Sequence, residues 1–540
     1  MRRAPYPSGS GDRVAWACDR LQDRSSQRAI AYIAISALCL LICFRFAYLH
    51  SDFPTDLGAT GMAYTDEGWW SRNAVSLVRE GRWYIDDGYN TVSNLPVLPM
   101  MQAVWFKLFG VGLTSARALS VICSLLVSAL VYGFARREFS PSLAVLAPLV
   151  VLSSYPVYAY SRMALLEMPM ILLIMLSLWI VTTYQLNALP RLIVSGLFLA
   201  LAILTKTTAL FALPVIVGVI ILKPEPIQQR QEEREGLRRS IRLTLIWLLA
   251  LGVFLGFYYG FVQNIMDSQS QAYFENYNIS AKVHSSIFSI LKGPLRVVER
   301  SLRIFPLLFP ALLTAIGTLF LARQYRSSQL FRLVWLWTAA TLGMFSLSNF
   351  AAPRYFLVLI VPAALVTPLV VSSFVSVPKN QTDGGSAADG KSRNRLLVWG
   401  SALFISILLF STSISLVRIG AYVHTPNFTL VNAAEDIDGY ITSDPDHSNV
   451  VMGHFADTVA LASDHAKAIN DEMGFRSLAY RVEQLNPGYY LSIGEVEDDV
   501  RRLLQNRYQL QQIEQYNIYQ NRDYGQPVFL YRLILLSVDS

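Results

Sequence analysis

Apolar runs at or near the length that crosses a lipid bilayer recur along this chain, and no other feature constrains its fold as much. A bilayer core takes roughly 20 apolar residues per helix. Runs of this kind lie at Ile30–Tyr48, Ala116–Ala135, Leu143–Tyr160, Leu165–Tyr184, Arg191–Leu222, Ile241–Val262, Ile304–Leu321, Leu333–Leu347, Phe356–Phe374 and Leu396–Val417. Composition agrees. Charged residues are 15% of the 540 and apolar residues 53%, with a mean hydropathy of +0.38, where a soluble protein carries roughly 25% charged residues. So few charges cannot cover a water-facing surface, which excludes a soluble enzyme, a secreted disulfide scaffold and a disordered regulator. Cys18, Cys39, Cys43 and Cys123 lie in the N-terminal tail or in apolar runs, a placement that supports neither a disulfide framework nor a zinc site.

The basic residues set the orientation. Lys and Arg number 45 against 38 Asp and Glu, a net charge of +7. In a soluble protein that excess would suggest nucleic acid. Here it clusters in short loops between apolar runs, the positive-inside pattern, and no nucleic-acid partner is expected. Arg136-Arg137, the stretch from Lys223 to Arg239, Arg323/Arg326/Arg332 and Lys391/Arg393/Arg395 all fall on one side under one condition. The stretch Arg191–Leu222, too long for one upright span, must be a hairpin turning near Lys206-Thr207-Thr208. The first run follows a basic tail, is long for a signal-peptide core and has no small-residue cleavage site after it, so it reads as an uncleaved helix.

The expected fold class is an α-helical polytopic membrane protein of about eleven spans. A cytoplasmic tail, 1–29, precedes a transmembrane domain, 30–418, with outer loops 51–114 and 263–303. An extracytoplasmic α/β domain, 419–540, completes the chain, with strand-like runs Asn449–Gly453, Tyr489–Ile493 and Val528–Leu536 around a helical pattern at Val496–Arg507. There is no internal repeat and no pair of interrupted helices in matching halves, the usual sign of a transporter.

The loop after the first helix reads AYTDEGWWSRNAVSLVREGRWYIDDGYN. Asp66 and Glu67 precede a helical pattern in which Trp70, Ala74, Leu77 and Val78 share one apolar face. Trp69, Trp70 and Trp83 suit a helix at the membrane surface. A carboxylate at that height can serve as general base for a hydroxyl attacking an anomeric carbon. An adjacent acid pair fits equally well a metal ligand, or solvated charges favoured by a helix N-terminus. Asp86-Asp87 precede Gly88 and read as a turn, and the scattered histidines offer no metal pair at helical spacing.

Several stretches together resemble the GT-C glycosyltransferases, specifically the dolichyl-phosphate-mannose protein mannosyltransferase-like and aminoarabinose transferase-like group. They are DEGWW ahead of a helix, WFKLFGVGLTSARALSVICSLLVSALVYGFARR (105–137), SRMALLEMPMILLIMLSLW (161–179), LAILTKTTALFALP (201–214) and PRYFLVLIVPAAL (353–365). The resemblance implies an enzyme that transfers a sugar, with inversion, from a polyprenyl-phosphate donor to an acceptor on the outer face. It implies Asp66 as the base, with Glu67 as its orienting partner or as a ligand to a divalent metal ion. In one place the chain departs from the pattern. Relatives often carry Glu-Lys-Pro-Pro later in this loop, and SNLPVLPM (93–100) keeps Pro96 and Pro99 without Glu or Lys.

Something else must then neutralise the donor phosphate, whose leaving oxygen gains charge. The candidate cations are Arg72, Arg162, Lys206 and Arg354. Lys206 stands out as the one charge between Arg191 and Lys223, since an ionisable group at membrane depth is costly. A lysine snorkelling from a turn is the plain alternative, and interfacial arginine is commonplace for the others. Glu167, a carboxylate in an apolar run, is a candidate for acceptor or metal binding, or for a structural salt bridge. The expected partners are the lipid-linked donor, a lipid or glycan acceptor and membrane lipids, in a bacterial plasma membrane. The 263–303 loop and the C-terminal domain are expected to cover the site. Two rivals are a flippase of lipid-linked glycans and a polymerase or ligase using diphosphate-linked donors.

Overall fold

In a computed structural model of the chain the described residues are 24–54, 62–85, 90–182, 188–222, 233–262, 292–321, 328–348, 352–375, 387–471, 477–518 and 527–536, with Leu57 and Tyr325. The tail 1–23, Asp86-Asp87, residues 263–291 of the second outer loop and residues 376–386 of the polar linker lie outside them.

The apolar runs are helices. In chain order they are α1 (Arg24–Phe46), α2 (Met62–Glu80), α3 (Val97–Phe109), α4 (Leu113–Arg136), α5 (Pro141–Ser153), α6 (Tyr155–Ser161), α7 (Glu167–Thr182), α8 (Ala188–Thr205), α9 (Ala212–Ile221), α10 (Glu233–Val262), α11 (Gly293–Ile304), α12 (Leu308–Leu321), α13 (Gln329–Ser346), α14 (Ile360–Val375) and α15 (Ala387–His424). Side chains such as Phe257, Trp399 and Val417 are exposed on this bundle. A surface of that kind belongs in lipid, and the protein is an integral membrane protein. Among the described residues five helices are long and apolar enough to span a bilayer, or seven if two bent pairs each count as one. Four further apolar helices have 10–17 residues. The expected count of about eleven is therefore not reached by length and composition alone.

Helices in this part bend sharply or break. The run 143–160 bends by 63° between α5 and α6, and α11 meets α12 at 116°. The stretch 191–222 is interrupted at Lys206, where the hairpin turn was expected: Lys206 is extended (φ −158°, ψ 125°), and a 3-10 turn, Thr207–Phe211, leads into α9.

The breaks free backbone carbonyls, and arginines satisfy them. Arg45, fully buried at the end of α1, donates to the carbonyls of Val151 and Leu152 at 3.2 Å, to that of Val157 at 3.4 Å and to the Ser161 hydroxyl, all around the α5–α6 bend. In return Arg162, just past α6, caps the C-terminal end of α1. Its Nη1 donates to the carbonyls of Phe44, Arg45 and Ala47, and its Nη2 to that of Tyr48. A cation at a helix C-terminus is also favoured by the dipole.

Beyond α15 the chain forms α16 (Thr429–Ser443), β1 (Val450–Gly453), α17 (Ala456–Ala462), β2 (Lys467–Ile469), α18 (Leu478–Leu485), β3 (Tyr489–Ile493), α19 (Asp498–Gln505), β4 (Tyr508–Tyr516) and β5 (Val528–Leu535). The strand order is β2-β1-β3-β5-β4, with β1 parallel to β2 and β3, and β5 antiparallel to β3 and β4. Alternation puts successive residues on opposite faces. Val451, Leu491 and Leu530 join the core that continues into the helical bundle, while Met452, Tyr490 and Leu533 pack with Val482 and Leu504 on the other face.

This α/β unit sits directly on α2. Cβ at Gly68 would lie 2.2 Å from the Asp457 carbonyl carbon and from the Thr458 nitrogen, so only glycine allows α17 to approach so closely. Arg79, about three turns on, donates to the carbonyls of Ala460 (3.0 Å) and Ser463 (2.6 Å). From the other side Asp52 accepts from the Thr429 amide (3.0 Å) and hydroxyl (2.6 Å), at the start of α16.

Candidate active site

Four of the charged residues singled out in the sequence meet in one buried chain of ion pairs. Asp66, on the first turns of α2, accepts from Arg354 Nη2 at 2.5 Å. Arg354 Nε lies 3.2 Å from Glu167 Oε1, and the same oxygen accepts from Lys206 Nζ at 2.5 Å. The lysine ammonium also stands 3.7 Å from the centroid of the Tyr355 ring, a cation–π contact.

Three of the four sit where helical backbone starts or breaks. Glu167 opens α7, where a carboxylate suits the helix dipole. Lys206 occupies the gap after α8. Arg354 lies in the 3-10 turn Pro353–Leu359 that leads into α14, with proline at its first position. Irregular backbone inside a membrane protein survives where it is buried in protein or lines a cavity, and such places are where polar sites can be built.

Exposure of the four side chains runs from 4% for Glu167 to 13% for Asp66. Asp66 and Arg354 are the less covered end of the chain of charges, at 13% and 12%. Burial pushes its carboxyl above the ordinary carboxylate range. Arg354 pulls the other way, Glu167 adds to the rise and Lys206 opposes it. Two cations and two carboxylates in a low-dielectric setting can hold an anionic group, and the partly exposed carboxylate can accept a proton.

The other candidates lie elsewhere. Glu67 is fully buried and faces away from the ion-pair chain. It accepts from Arg117 Nε at 2.8 Å and Nη2 at 2.6 Å, and from the Ala164 amide at 2.8 Å. Arg117 Nη1 reaches on to the carbonyls of Leu49 (3.0 Å) and Ser51 (2.6 Å). This clamp ties α2 to α4, to the chain after α1 and to the loop before α7, so Glu67 holds the helix that carries Asp66. Arg162 is engaged by the end of α1. Arg72 faces α17, with Nε 3.6 Å from Asp457 Oδ1, and does not join the ion-pair chain.

Arg117, Arg45, Tyr355 and Gly68 were not singled out by sequence reasoning. Arg45 and Arg117 carry the same signal as Lys206, a charge in or beside an apolar run. Gly68 carries no signal without its distant partner, Asp457.

Among the described residues no three His, Cys, Asp or Glu side chains converge. The two carboxylates of the site already face Arg354 and Lys206, and Glu67 is engaged by Arg117.

Comparison with known proteins agrees with the resemblance read in the sequence. Residues 93–258 match the family model described as dolichyl-phosphate-mannose-protein mannosyltransferase. No curated protein sequence matches the chain. Among solved structures, the chain is similar to ArnT from Cupriavidus metallidurans bound to undecaprenyl phosphate. The TM-score is 0.57 at 14% identity, over 93% of this chain and 98% of that one. Apo ArnT from the same organism gives 0.52 at 15% identity over the same shares. The apo oligosaccharyltransferase of Archaeoglobus fulgidus gives 0.50 at 14% identity, over 86% of this chain and 70% of that one. At these identities the likeness is one of fold alone.

Proposed function

We propose that the protein is an inverting glycosyltransferase that moves a sugar from a polyprenyl-phosphate donor to an acceptor hydroxyl. The reaction takes place at the extracytoplasmic face of a bacterial plasma membrane, in the synthesis or modification of a cell-envelope glycan or lipopolysaccharide. One observation carries this reading: the Asp66 carboxylate and the Lys206 ammonium belong to a single buried chain of charges, through Arg354 and Glu167. A base therefore stands against one cation, with a second linked to it through Glu167, an arrangement suited to sugar transfer from a phosphate.

The acceptor oxygen attacks the anomeric carbon on the face opposite the phosphate. As the new C–O bond forms, the bond from the anomeric carbon to the phosphate oxygen breaks, and its electron pair stays on the phosphate. The acceptor proton passes to Asp66, a contribution of about 10²–10⁴ in rate. Lys206 and Arg354 stabilise the charge that develops on the leaving phosphate, Lys206 at low cost because Glu167 and Tyr355 already orient it. Glu67 positions Asp66 through Arg117, and the C-terminal unit covers α2 through α17.

The similarity to ArnT, one structure of which contains undecaprenyl phosphate, supports a lipid-phosphate donor. The test is sugar transfer by purified wild-type protein in detergent, with labelled monophosphate- and diphosphate-linked polyprenyl donors supplied side by side. Transfer from the monophosphate donor, with inverted anomeric configuration in the product, is expected. Movement of donor across a liposome bilayer without transfer would establish a flippase instead, and exclusive use of the diphosphate donor a polymerase or ligase.

A further inference from the structure

Charge balance at the site decides which group must move when a donor arrives. The four side chains carry two positive and two negative charges, already paired. Among the described residues Glu167 is held by two cations, Lys206 at 2.5 Å and Arg354 at 3.2 Å, and Asp66 by one, Arg354. Lys206 is pinned further by the face of Tyr355. Arg354, by contrast, keeps a buried Nε with no hydrogen bond of good geometry, an unmet donor suited to an additional anion.

A donor phosphodiester adds one negative charge, and one carboxylate must then share or give up its cation. Asp66 has the fewest partners to lose. Nearby cations are engaged elsewhere: Arg117 on α4 holds Glu67, and Arg72 on α2 itself faces Asp457 of α17. A carboxylate locked on a guanidinium is also a poor proton acceptor, because the arginine favours its ionised form.

Building on the glycosyltransferase reading, we propose that Arg354 is a donor-operated latch on the base. In the donor-free protein it holds Asp66, and the donor phosphate draws it away, so that Asp66 becomes a competent base only after the donor has bound. Donor binding therefore precedes productive acceptor binding. An unloaded site with its base latched also leaves water a poor substrate for activation.

The proposal makes an unusual demand: removing the base should tighten donor-phosphate binding. The experiment measures the affinity of undecaprenyl phosphate, in detergent, for wild type, Asp66→Asn, Arg354→Gln and the double variant. Asp66→Asn is expected to bind about tenfold more tightly than wild type, and in the Arg354→Gln background the same change should shift affinity less than about twofold. Equal affinity of wild type and Asp66→Asn overturns the latch. So does a tightening that persists without Arg354, since that would be simple removal of a nearby negative charge.

Should Arg354→Gln fail to fold, wild type alone gives the second readout. The acid limb of kcat/KM for acceptor at saturating donor should lie at higher pH than that of kcat/KM for donor, and coincident limbs overturn the proposal. The enzymatic reading fails separately, if Asp66→Asn still transfers sugar at the wild-type rate.

Discussion

Replacing Glu67 by alanine strands a buried guanidinium. Arg117 loses both of its contacts with the carboxylate, at 2.8 and 2.6 Å, and keeps only the carbonyls of Leu49 and Ser51. The Ala164 amide loses its acceptor as well. Breaking a buried pair by deleting one partner costs about 3–5 kcal/mol, and an orphaned buried amide costs about 1–3 kcal/mol where water cannot reach it. These contributions overlap, and about 4 kcal/mol is the expected loss. In an Arg117→Met background the same Glu67→Ala change should cost about 1–3 kcal/mol less, because no charge is left uncompensated. Unfolding in detergent, followed through the chain's ten tryptophans, measures both effects, with sugar transfer assayed alongside. A Glu67→Ala protein with wild-type stability but no transfer would refute the structural role, and would restore Glu67 as a group that acts in the chemistry.

Three further outcomes follow from the same geometry. Gly68→Ala forces α2 and α17 apart, since the added carbon would meet backbone at 2.2 Å. It should cost about 1–3 kcal/mol or more and lower transfer with it, and an unchanged unfolding midpoint would contradict the close approach. Lys206→Met removes a cation from the donor phosphate and should lower kcat/KM for donor by about 10–100-fold, the value of a charged hydrogen bond. Arg72→Gln, outside the ion-pair chain, should change it less than about twofold in comparison. Finally, Asp66 works as a base in its ionised form, and its carboxyl is held above the ordinary range by burial. Transfer should be full above that raised value and fall as pH drops through it. A pH profile with no acid limb above about pH 4, the ordinary carboxylate value, would contradict this.

Much of the membrane part was legible because lipid imposes a simple rule on sequence: long apolar runs become helices and charges within them stand out. Lys206 and Glu167 were visible for that reason, and the break at Lys206 was forced by the length of its run and the side on which neighbouring basic residues must lie. Azimuth was not legible. A sequence gives the height of a residue along a span but not the neighbour it faces, so Arg162 and Arg354 looked equivalent. One caps α1, and the other meets Asp66. The same limit hid the Glu67–Arg117 clamp, although both residues could be read. In the C-terminal unit β1, β3 and β5 announced themselves as short, mostly apolar strand-like runs. β2 has only three residues, and β4, YQLQQIEQY, is a largely polar edge strand whose pairing with β5 supplies what its side chains do not.

The central claim is that Asp66 takes a proton from the acceptor while the donor phosphate lies against Arg354 and Lys206. Its most direct test compares Asp66→Asn with wild type in transfer of labelled sugar from a polyprenyl-phosphate donor, with unfolding midpoints measured on the same preparations. The account predicts a loss of about 10²–10⁴ in transfer rate by a variant whose midpoint, though lowered by the broken Asp66–Arg354 pair, stays above the assay temperature. Transfer by the folded variant at the wild-type rate would contradict it.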